Sequence, residues 1–472
     1  MNKIRILFVF ALIVLTAKNS AEIKLPSLFT DGMVFQQSGT APIWGKSTPG
    51  NQIKVKTTWD NKNYSVTVKN DSTWKVLVST PKASFKPFEV YISDGKSKIH
   101  LKDILIGEVW LCGGQSNMEM PMKGFTSQPV TGAMDEILAA PNKAFRCFTL
   151  ERQWSYNPQF NCNGKWESAS PAGTPNFTAT GYFFGKYIQQ VLNVPVGLLN
   201  INWGGSRIEA WMSRDALQGF SKVQLPEKEK EYKVKNFTPT YLFNGMLNVV
   251  VGFPIRGAIW YQGEQNRKEY QDYPALFAAM QKDWQKRWNC GEFPIYFCQI
   301  APFKYDGSDQ LLTAFMREAQ LKIAQTQPNT GIAVLTDAGD ENCIHPANKK
   351  VAGQRLALQA LAKTYGYKEL PCQSPEYKSV EFKDGKAYLT FQYANQGILP
   401  LSGQVTGFEI AGEDKHFEPA QAIVEKGKVV VSGSAVPSPV AVRYLFKNYS
   451  VGNLSGANGL PVSSFRTDNW NE

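Results

Sequence analysis

The sequence predicts an α/β protein in which a doubly wound parallel sheet lies between flanking β-sandwich regions. Two observations about patterning lead to this fold class. Continuous apolar strands alternate with helical stretches between about residues 107 and 365, and the residues before and after that interval follow a period of two. The composition, 43% hydrophobic and 19% charged over 472 residues, is that of a folded chain of several domains.

The first 21 residues have the pattern of a secretory signal peptide. An apolar run, Ile6–Ala17, follows Lys3 and Arg5. This run is shorter than the ~20 residues that a helix needs to span a bilayer. We therefore expect an exported protein, periplasmic or secreted, without a membrane anchor.

Residues 22–102 are predicted to form an N-terminal β-sandwich. Short runs of alternating apolar and polar residues are separated by turn residues such as Pro49-Gly50 and Asn70-Asp71. The runs are Ile53/Val55/Thr57, Tyr64/Val66/Val68, Trp74/Val76/Val78 and Phe88/Val90/Ile92.

Residues 103–366 are predicted to form the central α/β domain. The predicted strands are Val109–Cys112, Val196–Asn202, Gly257–Gln262, Ile295–Ile300 and Ile332–Asp337, and the predicted helices are Tyr182–Leu192, Tyr273–Trp288, Leu312–Gln325 and Ala347–Tyr365. Ligand sites in such sheets form at the carboxyl ends of the strands. Residues 367–472 return to strand periodicity and are predicted to form a C-terminal β region.

Charge and metal-binding residues exclude several classes of function. The net charge is +11, but the lysines are spread along the chain without a basic block, so we expect no nucleic-acid partner. Three histidines and no Cys/His cluster with zinc spacing predict no metal, and no cofactor is expected. In an exported protein, Cys147/Cys162 and Cys290/Cys298 could pair, although spacing does not decide connectivity. No oligomeric state is predicted.

The segment Gly113-Gly114-Gln115-Ser116-Asn117 follows a predicted strand and could present a serine nucleophile. Two glycines permit a tight turn from strand to helix, which would expose the Ser116 Oγ near a helix start. An N-cap serine after a glycine turn would look the same. Taken alone, the segment leaves these two interpretations open.

Two further strand ends could bind an oxyanion. Gly205 lies in Trp203-Gly204-Gly205-Ser206, where a glycine turn lets a main-chain N–H face a bound oxygen. Gln262 lies in Trp260-Tyr261-Gln262-Gly263-Glu264, and its amide could donate to the same oxygen. With the N–H of Ser116 these would be three donors, the arrangement that stabilises a tetrahedral oxyanion.

His345 is the only histidine well placed to act as the base for Ser116. It lies in the loop after the last predicted strand, whereas His100 and His416 belong to the two β regions. A catalytic histidine needs an acceptor on its other ring nitrogen, and Asp337, Asp340 and Glu341 are nearby in sequence. We expect a rate that falls as pH drops through the histidine pKa, and a rate flat from about pH 5 to 8 would count against this role.

These motifs together resemble the sialate O-acetylesterase family of the SGNH (flavodoxin-like) hydrolase superfamily. The resemblance rests on Gly-Gln-Ser-Asn-Met at 114–118, Trp-Gly-Gly-Ser at 203–206, Ile-Glu-Ala-Trp at 208–211, Trp-Tyr-Gln-Gly-Glu at 260–264 and Ile-His-Pro at 344–346. It implies removal of acetyl groups from sugar hydroxyls with Ser116 as nucleophile, His345 as base, and Ser116, Gly205 and Gln262 as the oxyanion hole.

One position departs from the superfamily pattern. Many members place an aspartate three residues before the histidine, where this chain has Asn342. Asp340 is then the candidate third member, with Asp337 as the alternative. A Ser–His dyad supported by a main-chain carbonyl is a further possibility.

The predicted substrate is an O-acetylated sugar or glycan, with sialic acids as the leading class. Side chains that flank the motifs, Trp203, Arg207, Trp211 and Tyr261, could contact the sugar, and Arg207 could pair with a sialic acid carboxylate. A structural ion pair would explain Arg207 equally well. The alternatives are an esterase for acetylated xylan or another polysaccharide, and a glycan-binding protein without catalysis.

Overall fold

The computed structural model describes residues 22–306 and 310–470, so the predicted signal peptide, residues 1–21, lies outside the described residues. The strands are β1 (Val34–Gln36), β2 (Gly39–Lys46), β3 (Gln52–Thr57), β4 (Asn63–Thr67), β5 (Thr73–Thr80), β6 (Ser84–Ser93), β7 (Lys98–Gly114), β8 (Asn142–Leu150), β9 (Gly164–Ala169), β10 (Val196–Asn202), β11 (Gly257–Tyr261), β12 (Ile295–Cys298), β13 (Thr330–Ala333), β14 (Glu376–Lys383), β15 (Lys386–Gln392), β16 (Ile398–Leu399), β17 (Phe408–Ala411), β18 (Phe417–Pro419), β19 (Gln421–Glu425), β20 (Lys428–Ser432), β21 (Ala441–Tyr444), β22 (Ser455–Gly456) and β23 (Phe465–Arg466).

The helices lie mainly between the strands of the central region. They are α1 (Ser116–Glu119), α2 (Ala133–Leu138), α3 (Ala179–Leu192), α4 (Arg214–Leu217), α5 (Tyr241–Gly245), α6 (Tyr273–Trp288), α7 (Leu312–Thr326) and α8 (Lys349–Lys363). Within the described ranges, no helix has the length and apolar character that a bilayer span requires.

The central sheet has the strand order β13-β12-β11-β7-β10-β8-β9. All neighbours are parallel except β9, which runs antiparallel to β8. Four predicted strands coincide with β7, β10, β11 and β12, and the fifth is displaced because β13 begins at Thr330. The α/β class with a mostly parallel central sheet is therefore confirmed, although the sequence patterns missed β8 and β9.

Helices cover both faces of this sheet. Alternate residues of a strand point to opposite faces, and β7 follows this rule. Trp110 and Cys112 belong to the apolar core that contains residues of α3 and α8. Val109 and Leu111 belong to the core that contains residues of α6 and α7. Burial of the central strands on both sides explains their continuous apolar sequences.

The N-terminal β region is joined to the central sheet by β7, which is 17 residues long. Its first part pairs with β6 and β1, and its last part pairs with β10 and β11. The strands β3, β4 and β6 extend this sheet, and β2 pairs with β5 in a separate two-stranded sheet. The four alternating runs of the sequence lie on β3, β4, β5 and β6.

The C-terminal β region packs against α7. Its two four-stranded sheets have the orders β14-β15-β20-β19 and β18-β17-β21-β23. The buried guanidinium of Arg317 donates to the carbonyl of Leu445 at 2.9 Å and to Ser464 Oγ at 3.0 Å. Arg466 forms a two-point ion pair with Glu318 at 2.8 and 2.9 Å. These contacts attach the region to the central layer.

All seven cysteines lie within the described residues, and none forms a disulfide. The pairs Cys147/Cys162 and Cys290/Cys298, which spacing allowed, are therefore not formed in this structure. Burial raises the pKa of Cys147 to about 12 and that of Cys162 to about 11. Thiols with such raised pKa values are poor nucleophiles at neutral pH.

Candidate active site

Three loops that carry candidate catalytic residues meet at the carboxyl edge of the central sheet. The loop after β7 carries Ser116, the loop after β10 carries Gly205, and the long loop after β13 carries His345. These three residues line one open cleft of about 640 Å³, together with Arg207. The structure therefore brings the predicted nucleophile, base and one oxyanion donor into a single cleft, at the position expected for a parallel sheet.

The turn before Ser116 requires glycine. Gly114 has a φ of 137°, and a Cβ at this position would lie 2.2 Å from the carbonyl oxygen of Tyr261 on β11. This close approach bends the chain sharply from β7 into α1, which begins at Ser116. The Ser116 Oγ lines the cleft and forms no hydrogen bond with another described residue.

Two main-chain N–H groups are available to an oxyanion. Those of Ser116 and Gly205 donate no hydrogen bond to another described residue. Gly205 adopts a φ of 65°. The preceding Gly204 lies close to Ser116, since a Cβ on Gly204 would be 3.3 Å from the Cβ of Ser116. The glycine loop therefore lies directly beside the nucleophile.

Glu119 holds this glycine loop in place. Its Oε2 accepts a 2.7 Å hydrogen bond from the N–H of Gly204. The same carboxylate forms a two-point ion pair with Arg152 at 2.6 and 2.7 Å. Since Glu119 lies one helical turn after Ser116, it connects the nucleophile helix to the loop that carries Gly205.

Gln262 does not reach the cleft, in contrast to the expectation from its motif. Its side chain is fully buried, and its Nε2 donates to the carbonyl of Ser206 at 3.0 Å and to Asn266 Oδ1 at 2.7 Å. Its Oε1 accepts from Tyr273 at 2.8 Å. Both amide hydrogens are thus occupied, so Gln262 supports the loops behind the site and offers no donor to an oxyanion.

The second ring nitrogen of His345 is bonded to an amide. Its Nδ1 lies 2.7 Å from Oε1 of Gln128, in a hairpin turn where Phe125 and Gln128 exchange main-chain hydrogen bonds. The Phe125 ring packs edge-on against the imidazole at 5.3 Å between centroids. An acceptor at Nδ1 places the proton there and leaves Nε2 as the basic nitrogen.

Neither aspartate proposed as the third member contacts His345. Asp337 forms a two-point ion pair with Arg355 of α8 at 2.6 and 2.7 Å. Asp340 accepts hydrogen bonds from the N–H groups of Asn342 and Cys343 at 2.8 and 2.9 Å. Both carboxylates therefore stabilise the loop that carries His345. The dyad supported by a main-chain carbonyl is not observed either, because His345 Nδ1 is bonded to the side-chain amide of Gln128.

A buried polar cluster lies beneath Ser116 and His345. Asn117 donates to Glu264 Oε1 at 2.7 Å and to the carbonyl of Ile344 at 3.0 Å, and its Oδ1 accepts from the ammonium of Lys349. The bond to Ile344 connects the nucleophile turn directly to the histidine loop. This cluster therefore fixes the relative position of the two candidate catalytic residues.

The cluster also sets the charge around the base. Burial, followed by the repulsion of Lys349, lowers the pKa of His345 to about 4. Burial lowers the pKa of Lys349 itself to about 8, and burial raises that of Glu264. His345 is therefore a neutral imidazole at physiological pH, the form that a general base requires.

The proposed substrate-contacting residues divide into exposed and buried ones. Arg207 lines the cleft, and its Nη2 pairs with Glu269 at 3.0 Å. This contact is the structural ion pair that the sequence offered as the alternative role for Arg207. Trp203 is half-buried, with the Arg152 guanidinium 5.6 Å from its ring centroid. Trp211 and Tyr261 are at most 1% exposed, so neither presents a ring face to a sugar.

Several residues of the site escaped the sequence patterns. Glu119 follows the Gly-Gln-Ser-Asn-Met motif directly, and Lys349 lies four residues after His345, so their proximity to the site could have been inferred. Gln128 and Arg152 carry no local signal, because only the tertiary fold brings their loops to the cleft. Among the described residues, no group of three or more metal-ligating side chains occurs.

Comparison with known proteins identifies the family. The model of a carbohydrate esterase family, sialic acid-specific acetylesterase, matches residues 106–362, more than half of the chain. The sialate O-acetylesterase of Mus musculus is 27% identical over 93% of this chain and 92% of its own length. The Homo sapiens enzyme of the same name is 28% identical over 81% and 79%, respectively.

A solved structure agrees with this result. The crystal structure of a carbohydrate acetylesterase from Xanthomonas citri is 37% identical and superposes with a TM-score of 0.85. The match covers 95% of this chain and all of that structure, so both β regions are included. The resemblance seen in the motifs is confirmed, and the chain belongs to the carbohydrate esterase family described as sialic acid-specific acetylesterase.

Proposed function

We propose that this protein removes acetyl groups from hydroxyls of sialic acids, with Ser116 and His345 as the reacting pair. One cleft holds the Ser116 Oγ, two main-chain donors and a neutral His345, and neither the Oγ nor the two donors bond to another described residue. This observation carries the proposal. Membership of an esterase family supports catalysis over the third possibility, a glycan-binding protein without catalysis.

The proposed reaction has two acyl-transfer steps. His345 Nε2 accepts the Ser116 proton as Oγ attacks the acetyl carbonyl, and the N–H groups of Ser116 and Gly205 stabilise the oxyanion. Collapse of this intermediate breaks the ester bond, and the sugar oxygen leaves with the proton from His345. Water then transfers a proton to His345 and attacks the acetyl carbonyl of the acetyl-enzyme. As the bond to Ser116 Oγ breaks, acetate is released, and His345 returns the proton to that oxygen.

Two finer assignments of the fold accompany this proposal. An SGNH (flavodoxin-like) arrangement is supported by the nucleophile, glycine and histidine loops at one sheet edge. We retain the division into residues 22–102, 103–366 and 367–472, although β7 passes through the first boundary without interruption. Export to the periplasm or beyond rests on residues 1–21 alone.

The charge of the cleft favours an acidic sugar. Four cationic side chains, Arg152, Arg207, Arg267 and Lys268, line the cleft with two carboxylates, Glu119 and Glu264. Arg207 is paired with Glu269, so an excess of one positive charge remains. Sialic acids carry a carboxylate, which arginine binds through two parallel hydrogen bonds. Neutral acetylated polysaccharides such as xylan gain nothing from this excess of positive charge.

Acetate release from 9-O-acetylated sialic acid and from acetylated xylan, measured side by side, tests the substrate class. We expect kcat/KM to be higher for the sialic acid, by about tenfold or more, because the charge of the cleft discriminates between them. The preference should shrink as salt is added, since salt screens exposed charges. Faster release from xylan at all salt concentrations would contradict the assignment of sialic acid as the substrate, although the esterase mechanism would still hold.

Gln128 offers a second test, directed at the base. We expect Gln128→Ala to lower kcat by roughly 10²-fold, less than the ~10⁴-fold typical of losing a triad carboxylate. The loss is smaller because a neutral amide orients the imidazole but does not stabilise the imidazolium as a carboxylate does. Gln128→Glu should move the acidic limb of the pH–rate profile to higher pH, since a carboxylate favours the imidazolium. Unchanged rate and pH profile in both variants, with unchanged melting temperature, would contradict this role.

A further inference from the structure

A second cavity lies on the other side of Arg207 from the candidate active site. It has a volume of about 440 Å³, and its lining includes Arg207, Glu209, Phe220, Phe237 and Glu269. Arg207 is common to this cavity and to the cleft that contains Ser116. The two spaces are therefore neighbours, with the side chain of one arginine between them.

The polar groups of this wall have unused hydrogen-bonding capacity. The Nε of Arg207 and the Oε2 of Glu269 are buried without a partner in the part of the chain that the structure describes, although the two side chains pair through their other atoms. Buried polar atoms in folded proteins are normally bonded, so each such atom calls for an explanation. Because neither atom is accessible to a water molecule, a ligand in the cavity would bond to them only if the Arg207–Glu269 pair shifted.

Glu209 adds an acceptor to the lining of the same cavity. Its side chain is 6% exposed, and its Oε2 accepts a 3.0 Å hydrogen bond from Asn266. Its Oε1 accepts no hydrogen bond from another described residue. An ionised carboxylate accepts hydrogen bonds only, so this oxygen is complementary to a hydroxyl donor.

The charge of the cavity differs in sign from that of the active-site cleft. Three carboxylates, Glu209, Glu269 and Asp272, and two cations, Arg207 and Lys222, line it. Lys222 is paired with Asp272 at 2.9 Å, and Arg207 with Glu269, so Glu209 is left as the excess negative charge. This cavity does not favour a second acidic sugar, whereas hydroxyl donors on an uncharged ring suit it.

The lining also offers apolar surface. Phe220 and Phe237 are both half-buried at the cavity, and the Arg207 guanidinium lies 5.6 Å from the ring centroid of Phe237. Aromatic rings beside hydrogen-bond acceptors match a pyranose, which has an apolar C–H face and a rim of hydroxyls. Pockets for small molecules typically combine these two kinds of surface.

We propose that this cavity is a second sugar-binding subsite, which holds a neutral sugar glycosidically linked to the acetylated acidic sugar in the cleft. The proposal rests on the proposed function, because it assigns the first sugar to the Ser116 cleft. It predicts that the enzyme acts better on acetylated sialic acid within an oligosaccharide than on the free monosaccharide.

Gly219 provides a way to fill the cavity without disturbing its wall. It lines the cavity, and a Cβ at this position meets no atom within 4 Å. Gly219→Trp should therefore occupy the space intended for the second sugar. The matched control is Gln218→Trp, which adds the same ring to an exposed neighbouring residue outside the lining. Phe220→Ala is a second variant, which removes apolar surface instead of adding bulk.

The experiment compares kcat/KM for 9-O-acetylated sialic acid, free and α-linked to lactose. We expect the wild type and Gln218→Trp to prefer the linked substrate by about tenfold, as one well-bound sugar can provide. Gly219→Trp should lose this preference, and Phe220→Ala should reduce it, while the rate on the free sugar stays within about twofold in each variant.

The outcomes separate the two proposals. Equal kcat/KM for free and linked sugar in the wild type, or an equal loss on both substrates in the folded Gly219→Trp variant, would overturn the subsite alone. No acetate release from either sialic acid substrate, with an aryl acetate still hydrolysed, would overturn the proposed function and the subsite together.

Discussion

Ser116→Ala is expected to lower kcat for every acetyl ester by about 10⁴- to 10⁶-fold. Loss of a serine nucleophile has effects of this size in other Ser–His hydrolases, where only binding and oxyanion stabilisation remain. The residual rate should be similar for sialic acid and aryl esters, because both depend on the same attacking oxygen. Acetate release assayed over long incubations measures the difference.

The same substitution should leave the fold intact. The Ser116 Oγ forms no hydrogen bond with another described residue, so its removal breaks no side-chain bond, and alanine is well tolerated at the start of α1. The melting temperature therefore serves as the control. In the wild type, rapid quenching with an aryl acetate should trap one acetyl group on the peptide that contains Ser116. A variant with more than about a tenth of wild-type activity would exclude Ser116 as the nucleophile.

Local geometry and strand ends account for the candidate residues that the structure brings together. Ser116, Gly205 and His345 follow three strands of one parallel sheet, and the order of strands in such a sheet places their carboxyl ends at one edge. Gly114 could be recognised because a close crossing of β11 requires a residue without a Cβ. These features depend on chain connectivity and backbone sterics, which a sequence displays directly.

The partner of His345 could not be found in this way. Proximity in sequence points to Asp337 and Asp340, yet the residue bonded to His345 Nδ1 is Gln128, which lies 217 positions away. Both aspartates satisfy nearer donors, Arg355 and the main chain of the loop. Which acceptor faces a ring nitrogen is decided by the packing of separate loops, and no local spacing encodes that choice.

Gln262 illustrates a different limit. Its position at the end of β11 was predicted correctly, but the side chain points into the protein, where it bonds to Ser206, Asn266 and Tyr273. Adjacent residues of a strand end can face the ligand or the core, and the competition between hydrogen-bond partners decides which. The same reasoning applies to Trp211 and Tyr261, whose aromatic rings fill the core beside the site.

His345→Ala is expected to reduce kcat by about 10⁴- to 10⁶-fold, comparable with the loss of Ser116. The proposed reaction uses the two residues as one unit, so the double variant should be no slower than either single variant by more than a few-fold. A double variant whose losses multiply would indicate that His345 acts independently of Ser116. Chromatography and melting temperature would confirm that the variants remain folded.

The pH dependence of the wild type provides the sharper test of the base. The pKa of His345 is lowered from 6.5 to about 4, first by burial and then by Lys349. The neutral, active form therefore persists to low pH, and kcat/KM should be flat from about pH 5 to 8 and fall below that range. This reverses the expectation from the sequence, which assumed an ordinary histidine and treated a flat profile as evidence against the role.

Lys349 makes this prediction specific to the structure. Lys349→Met removes a neighbouring cation, so the pKa of His345 should rise and the acidic limb should move to higher pH, without reaching 6.5 because burial remains. Lys350→Met, at an exposed position one residue along, is the matched control and should leave the limb in place. A wild-type limb near the ordinary histidine pKa, or identical limbs in the Lys349→Met and Lys350→Met variants, would show that the buried cluster does not set the charge of the base.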